Sequence, residues 1–530
     1  MELFARCEGR GYFLRRSEAS VVESSGDLSR GGVMGKFTER QARPSVGPMS
    51  TVRPMPTHEG GYGYERDAKS ELFLLAAANM VGERTFYEDP RARDPRYVSL
   101  IHQVTKADPA WMAQLVPFLR ERMLMRSASV VMAAEYVAAG GPGGRKVVAE
   151  SLQRPDEPAE MLAYWMAEHG RSVPKPVKRG VADAVTRMYT EKAALKYDGT
   201  GRAWRMGDVI ELVHPKPKAP WQGALYRWLL DRRRRVVETP KELAIIRGVE
   251  AWEKAGYPLP LPEGVTWERL SSTRPMDRRA WEAVIPQMGL MALTRNLRNF
   301  DEVGISHAAV GLVMDRLRDA EEVRRSRQLP IRFYSAWKAL GSLRWGTHLE
   351  HALVQSLSNV PELPGRTLIL VDLSGSMFSG MSDRSKVERW ELAAVFGTAL
   401  ALRCEQANLV WFSNESGEVP IRPSVLRMVE GMGNLGGGGT YTFHALQRHF
   451  NDHDRIVILT DEQAHDAGDF QLPDVPIYTF NLAGYRPAHL ADDVKGRYTF
   501  GGLSDAAFLL LPILEARRRG EWPHLVKAAA

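Results

Sequence analysis

Residues 366–376 read Arg-Thr-Leu-Ile-Leu-Val-Asp-Leu-Ser-Gly-Ser, and this stretch decides the fold of the C-terminal part of the chain. Thr367 to Val371 are apolar or β-branched without a break, which predicts a strand covered on both faces, as in a parallel sheet. The strand stops at Asp372, and hydroxyls follow at alternate positions, Ser374 and Ser376. In an open α/β sheet, ligands bind at the carboxyl edge of the central strands. Asp372, Ser374 and Ser376 are therefore expected to converge on one point. A carboxylate and two hydroxyls are hard oxygen donors that suit Mg²⁺, Ca²⁺ or Mn²⁺.

Two later segments extend this site. Gly436-Gly-Gly-Gly-Thr440 precedes an amphipathic stretch with Phe443, Leu446 and Phe450, and Arg455-Ile-Val-Ile-Leu-Thr-Asp461 is a second buried strand ending in Asp. The combination resembles the metal-ion-dependent adhesion site of von Willebrand factor A domains. That resemblance implies Ser374 and Ser376 as direct ligands and Thr440 as a direct or water-mediated one. Asp372 and Asp461 would bind directly or orient coordinated water. Water or a partner carboxylate would complete six-coordination around Mg²⁺. The alternative is that the serines and Thr440 only cap helices.

With 530 residues, two or three domains are expected. A hydrophobic fraction of 44% and a charged fraction of 25% are those of a soluble globular protein. No run approaches the roughly 18 apolar residues needed to span a bilayer. Cys7 and Cys404 are the only cysteines, which disfavours a disulfide-stapled secreted protein and points to the cytoplasm. An extracellular adhesive A domain is accordingly disfavoured. Residues 1–60 lack the apolar core of a signal peptide and are rich in Gly, Ser, Arg and Pro, so a flexible tail is expected there.

Charge is uneven. Residues 171–240 hold 16 Lys/Arg against 7 Asp/Glu, a net of +9, whereas residues 366–530 hold 16 against 20, a net of −4. A concentrated basic region suggests a polyanion, most simply nucleic acid; a solvated helical surface is the bland alternative.

From about residue 66 to 358 the pattern is helical. Asp67 precedes a strong helix-forming run, and Asp94-Pro95 and Asp108-Pro109 each predict an N-cap followed by Pro at the first helical position. Val130–Val137 predicts a helix ended by Gly140, and further helices are expected around 157–169, 177–190, 219–231, 241–254, 277–300, 304–319 and 331–339. Gly and Pro punctuate them at the rhythm of helix-pair repeats. Ser356 to Gly365 reads as a linker. Beyond it strands and helices alternate over 367–372, 388–403, 408–413, 443–450, 455–460 and 475–482, which predicts a doubly wound sheet. A last helix is expected at about 504–519.

A helical-repeat region joined to an A domain, with a basic middle, resembles the Ro autoantigen family of TROVE-domain RNA-binding proteins. The match rests on Val177-Lys-Arg-Gly-Val-Ala-Asp183, on Ala194-Leu-Lys-Tyr197 with Trp204 and Asp208-Val-Ile-Glu-Leu-Val-His-Pro-Lys216, on Gly289-Leu-Met-Ala-Leu-Thr-Arg-Asn-Leu-Arg298, and on Leu363 to Met377. It implies a multidomain α plus α/β architecture: a tail at 1–60, a ring of HEAT-like helical repeats over 61–358, and an A-type domain over 359–530. It also implies a noncatalytic, monomeric scaffold that binds Y-like small structured noncoding RNAs and single-stranded 3′ ends of misfolded RNAs. Such a scaffold would act with an exoribonuclease in RNA maturation and decay. Lys196 and His214 align with family residues implicated in RNA contact, Arg202 aligns less closely, and Lys178 and Arg179 fall on the basic helix. Lys and Arg pair with phosphates, and an imidazole donates to phosphate or stacks on a base. For His214 the alternative is a capping or packing role before Pro215.

Two other functions compete. One is a metal-dependent protein-interaction module, such as a chaperone partner, with the basic region incidental. The other is a metal-dependent nuclease, which is weaker because phosphoryl-transfer sites need several convergent carboxylates or two metals. His348-Leu-Glu-His351 has close His spacing but no evident third ligand.

Overall fold

A computed structural model describes residues 54–56, 62–64, 68–78, 90–199, 203–233, 238–258, 260–340, 342–380, 386–461, 472–482, 497–501, 507–517, 522, 524 and 525. Most of the expected tail lies outside them. Within it Pro54–Pro56 (β1) pairs antiparallel with Tyr62–Tyr64 (β2).

From Ala68 to Ser356 the described elements are helices packed on their neighbours in sequence. Local chemistry sets most of their ends. The Asp108 carboxylate accepts the Trp111 backbone N–H at 3.1 Å, and Pro109 opens the helix Pro109–Glu121. Gly140, at φ +82°, follows the helix Arg126–Ala138, where a side chain would be strained.

Two expectations fail, both at proline. Asp94-Pro95 does not open a helix: Pro90–Ala107 is continuous, with Pro95 inside it. Proline this early in a helix removes few backbone bonds, so Pro90 sets the start instead. The expected helix at 277–300 is broken into Arg278–Val284, a 3₁₀ turn Ile285–Gln287 and Leu290–Val303. Pro286 has no N–H to continue the ladder, and Gly289 adopts extended backbone before the second helix. The short helices Gly144–Ser151, Glu191–Tyr197, Met206–Val213, Trp267–Thr273 and Ala320–Ser326 span too few turns for periodicity to reveal.

Buried charge ties the helices together. Glu157 is fully buried; it accepts from Arg120 Nη2 at 2.7 Å and from the N–H groups of Gln153 at 2.6 Å and Arg154 at 3.0 Å, and Arg126 Nε lies 3.2 Å away. This joins Pro109–Glu121, Arg126–Ala138 and Glu157–His169. Asp198 is buried too, accepting from Arg205 Nη2 and the Met206 N–H, each at 2.8 Å, with Arg232 3.4 Å away. The Asp198 carboxylate thus organises three helices.

The expected linker is packed rather than free. Leu357 and Val360 are buried, and the Asn359 side-chain amide donates to the Gln328 carbonyl at 2.9 Å. A six-stranded sheet follows, built from Leu363–Asp372 (β3), Cys404–Phe412 (β4), Ser416–Glu418 (β5), Arg455–Thr460 (β6), Ile477–Asn481 (β7) and Arg497–Gly501 (β8). Its order is β5-β4-β3-β6-β7-β8, parallel except for the edge strand β5. Thr367 to Asp372 are all buried, as the apolar run predicts. Leu368 and Leu370 face one core with Leu446 of the helix Thr442–His449, while Ile369 and Val371 face the other with Phe396 of Arg389–Ala401 and Phe508 of Ala507–Arg517. The chain runs from β3 to β4 on one side and then to β6 on the other, so β3 is the topological switch point.

The sheet region touches both ends of the helical region. On one side Tyr334 and Lys338 donate to buried Glu391, each at 2.6 Å. On the other, Trp522 and His524 pack against Trp111, with ring centroids 4.9 and 4.7 Å apart, and against Phe73. The chain thereby closes on itself.

Candidate metal centre and nucleic-acid interface

At the carboxyl edge of β3, three loops are joined by backbone hydrogen bonds. The Leu373 N–H reaches the Phe412 carbonyl at 2.8 Å, the Gly375 N–H reaches Gly438 O at 3.0 Å, and the Gly437 N–H reaches Leu373 O at 2.8 Å. The Gly439 N–H is held by the Asn414 carboxamide at 2.6 Å. Gly436 passes so close to Leu373 that a Cβ would sit 2.5 Å from its carbonyl oxygen, and Gly438, at φ +91°, leaves no room for a side chain beside Asn414. The run of glycines is thus what lets the Thr440 loop lie on the Ser374 loop.

The five expected ligands are placed accordingly. Asp372, Ser374, Thr440 and Asp461 are buried, and Ser376 is half-buried. Asp372 accepts the Ser374 N–H at 2.8 Å and the Thr460 hydroxyl at 2.5 Å, and the Ser374 and Ser376 hydroxyls stand 3.3 Å apart. Burial, reinforced by the charge of Asp461, pushes the Asp372 carboxyl up to about 7. Two carboxylates brought together out of water, with hydroxyls beside them, fit a hard divalent cation, whose charge would offset their repulsion. Among the described residues no group of three or more His, Cys, Asp or Glu is placed to hold a metal, so His348-Leu-Glu-His351 gains no third ligand.

The basic residues do not form one cluster. Lys178, half-buried, and exposed Arg179 lie on the helix Lys175–Met188. Gly180 on that helix lies so close to Gly144–Ser151 that a Cβ would sit 2.6 Å from the Arg145 carbonyl. His214 is exposed and ends the helix Met206–Val213 in the left-handed region, at φ 48°, so its backbone caps while its ring stays in solvent. Lys196 faces Trp267–Thr273 instead, where it pairs with Glu268 at 3.2 Å and lies 5.7 Å from the Tyr197 ring centre. Arg202 lies outside the described residues.

Three residues beyond this set share the surface of His214. Lys216, Lys218 and Trp221 are exposed; Pro215 and Pro217 keep the segment out of a helix until Pro220, which opens the helix Pro220–Asp231 that carries Trp221. The signal was legible: proline at every second or third position, lysines between, inside the most basic part of the chain.

Comparison with known proteins agrees with this architecture. The TROVE domain model matches residues 239–395, which include Asp372, Ser374 and Ser376 but none of the five basic candidates. RNA-binding protein RO60 of Deinococcus radiodurans is 24% identical over 389 residues, covering 67% of this chain and 71% of the relative. RNA-binding protein RO60 of Caenorhabditis elegans is 31% identical over 134 residues, 22% of this chain and 21% of that protein. The murine telomerase protein component 1 is 38% identical over 96 residues, 17% of this chain and 4% of that much longer protein. The crystal structure of the Deinococcus radiodurans Ro protein superposes with a TM-score of 0.64, covering 86% of this chain and all of that one at 19% identity, which shows a shared fold. Together with helices closed by a parallel sheet, these matches make the chain similar to the bacterial Ro protein in fold and similar to the TROVE domain over residues 239–395.

Proposed function

We propose that this chain is a noncatalytic RNA-binding protein that works as a ribonucleoprotein in RNA quality control, maturation or decay. It takes Y-like small structured RNA on its basic helical surface and single-stranded 3′ ends of misfolded RNA. The observation that carries this reading is a set of cations without partners on a TROVE-type scaffold. Among the described residues, Lys175, Lys178, Arg179, His214, Lys216 and Lys218 form no side-chain hydrogen bond or ion pair, although Asp and Glu are plentiful nearby. Cations left unpaired in a folded protein suit phosphate.

The sheet edge takes a structural Mg²⁺ held by Asp372, Ser374, Ser376, Thr440 and Asp461. It is not a nuclease centre, because two carboxylates among hydroxyls supply neither a second metal nor a base in excess of the ligands. Phe378, Leu435 and Tyr441 are exposed around this edge, which suits a protein partner such as an exoribonuclease. We place the protein in the cytoplasm on its two cysteines; among the described residues no helix is long and apolar enough to cross a membrane.

RNA affinity is expected to fall steeply with salt, with a log–log slope that counts the phosphates engaged. Replacing Lys178 by Ala and His214 by Asn, which tolerates left-handed φ, should cost roughly tenfold in affinity with little change in melting temperature. Filter binding across a salt series tests both. A flat salt response, or no binding at low salt, overturns the RNA reading in favour of a protein-interaction module. RNA cleavage by the pure protein that is lost in Asp372→Ala would overturn the noncatalytic one.

A further inference from the structure

All thirteen tryptophans of the chain lie among the described residues, and Trp221, at 39% relative exposure, is the one that falls among the exposed large apolar side chains. Trp111, Trp165, Trp228, Trp252, Trp281, Trp345 and Trp390 are buried, and the rest are half-covered. An indole left in water costs free energy that packing would recover. Its surroundings are equally unusual. His214, Lys216 and Lys218 precede it on one short segment, and none of them forms a side-chain ion pair among the described residues.

That segment is held in place. Gln222, next to Trp221, is buried; its Oε1 accepts the Lys218 N–H at 2.8 Å and its Nε2 donates to the Thr186 carbonyl at 3.0 Å. The Thr186 hydroxyl, which donates to the Ala182 carbonyl at 2.8 Å, lies 3.4 Å from the Lys216 carbonyl. The loop is thus clamped to the helix Lys175–Met188, which carries Arg179. Asp183 of that helix is engaged by Arg145 through two hydrogen bonds of 2.7 and 2.8 Å, so it forms no hydrogen bond with the lysines. The Arg145 guanidinium holds the Asp183 carboxyl below the usual range, with Arg187 and Lys218 adding to the effect.

We propose that Trp221 is a base-stacking platform for single-stranded RNA, with His214, Lys216, Lys218 and Arg179 holding the flanking phosphates. The proposal rests on the RNA-binding reading and adds to it a new contact and the place where a single strand is held. An aromatic face takes any base, whereas a base inside a duplex is already stacked and cannot use it. The cations set the phosphate register, and the clamped loop keeps ring and charges in fixed relation.

The test uses the full chain, a labelled twelve-nucleotide single strand and a blunt RNA duplex of the same composition. Trp221→Leu should weaken single-strand binding roughly ten- to hundredfold. It should leave the salt slope and the duplex affinity unchanged, and Trp221→Phe should keep most of the affinity. Lys216→Ala with Lys218→Ala should instead lower the salt slope and weaken both RNAs. If Trp221→Leu binds the single strand like the unmodified protein, the platform is overturned while the RNA reading stands. Equal loss for strand and duplex with a lowered melting temperature means a packing role, and also overturns it. If the unmodified chain binds neither RNA at low salt, both readings fall together.

Discussion

Asp372→Ala is expected to abolish divalent-cation binding at the proposed site and to leave RNA affinity nearly unchanged. The carboxylate is the buried anchor of the site, accepting from Ser374 and Thr460 and sharing its surroundings with Asp461. Without it, one carboxylate and three hydroxyls remain, too little charge to compete with the hydration of Mg²⁺. The fold survives, because the loops at this edge are joined through backbone groups of Leu373, Gly375 and Gly437 rather than through the carboxylate. RNA affinity survives because the unpaired cations belong to the helical region and not to the sheet. Calorimetry with Mg²⁺ or Mn²⁺ checks the first half, and the salt-series binding assay checks the second. Unchanged cation binding in Asp372→Ala would place the metal elsewhere.

Glu157→Ala is the substitution expected to cost most stability. It removes a fully buried carboxylate and leaves Arg120, only 11% exposed, without that partner, together with the Gln153 and Arg154 amides. Breaking a buried ion pair by deleting one partner costs about 3–5 kcal/mol, since the remaining charge stays out of water. Arg126 keeps Asp156, 3.0 Å away, and Glu160, so the cost is expected at the lower end of that range. For a region of this size about 3 kcal/mol lowers the melting temperature by roughly 6–12 °C. Thermal melts followed at a helix-sensitive wavelength measure this. A shift of about a degree would mean that the cluster relaxes or hydrates without strain. Asp198, which plays the same part between Arg205 and Arg232, provides a comparison.

The two sites differ in how far they could be read without a structure. The metal-type edge is built from short segments whose roles are local. Hydrophobic continuity marks β3 and β6, and a strand that ends in Asp must present it at the carboxyl edge. Four glycines in a row before Thr440 signal a backbone approaching another backbone. The basic surface was legible only as a net charge. Whether a given lysine is available to phosphate depends on which carboxylate faces it across the helix packing. Lys196 and Lys178 look equivalent in sequence, yet Lys196 meets Glu268 from a helix seventy residues away while Lys178 forms no ion pair among the described residues.

The sequence by itself determined the longer elements and the change from helices to alternating strands and helices. Apolar period distinguishes helices from buried strands, Asp108-Pro109 and Gly140 place helix ends, and the alternation after residue 363 dictates a doubly wound sheet. These follow from propensities and bonds a few residues long. Tertiary structure decided the rest. It placed Pro95 inside a helix and broke the chain at Pro286. It chose which carboxylates were buried as hubs, Glu157 and Asp198, and which cations they consumed. It brought Trp522 and His524 onto Trp111, some four hundred residues earlier, and so closed the molecule. Each of these outcomes rests on contacts between segments far apart in the chain, where burial and the pairing of charge outweigh local preference.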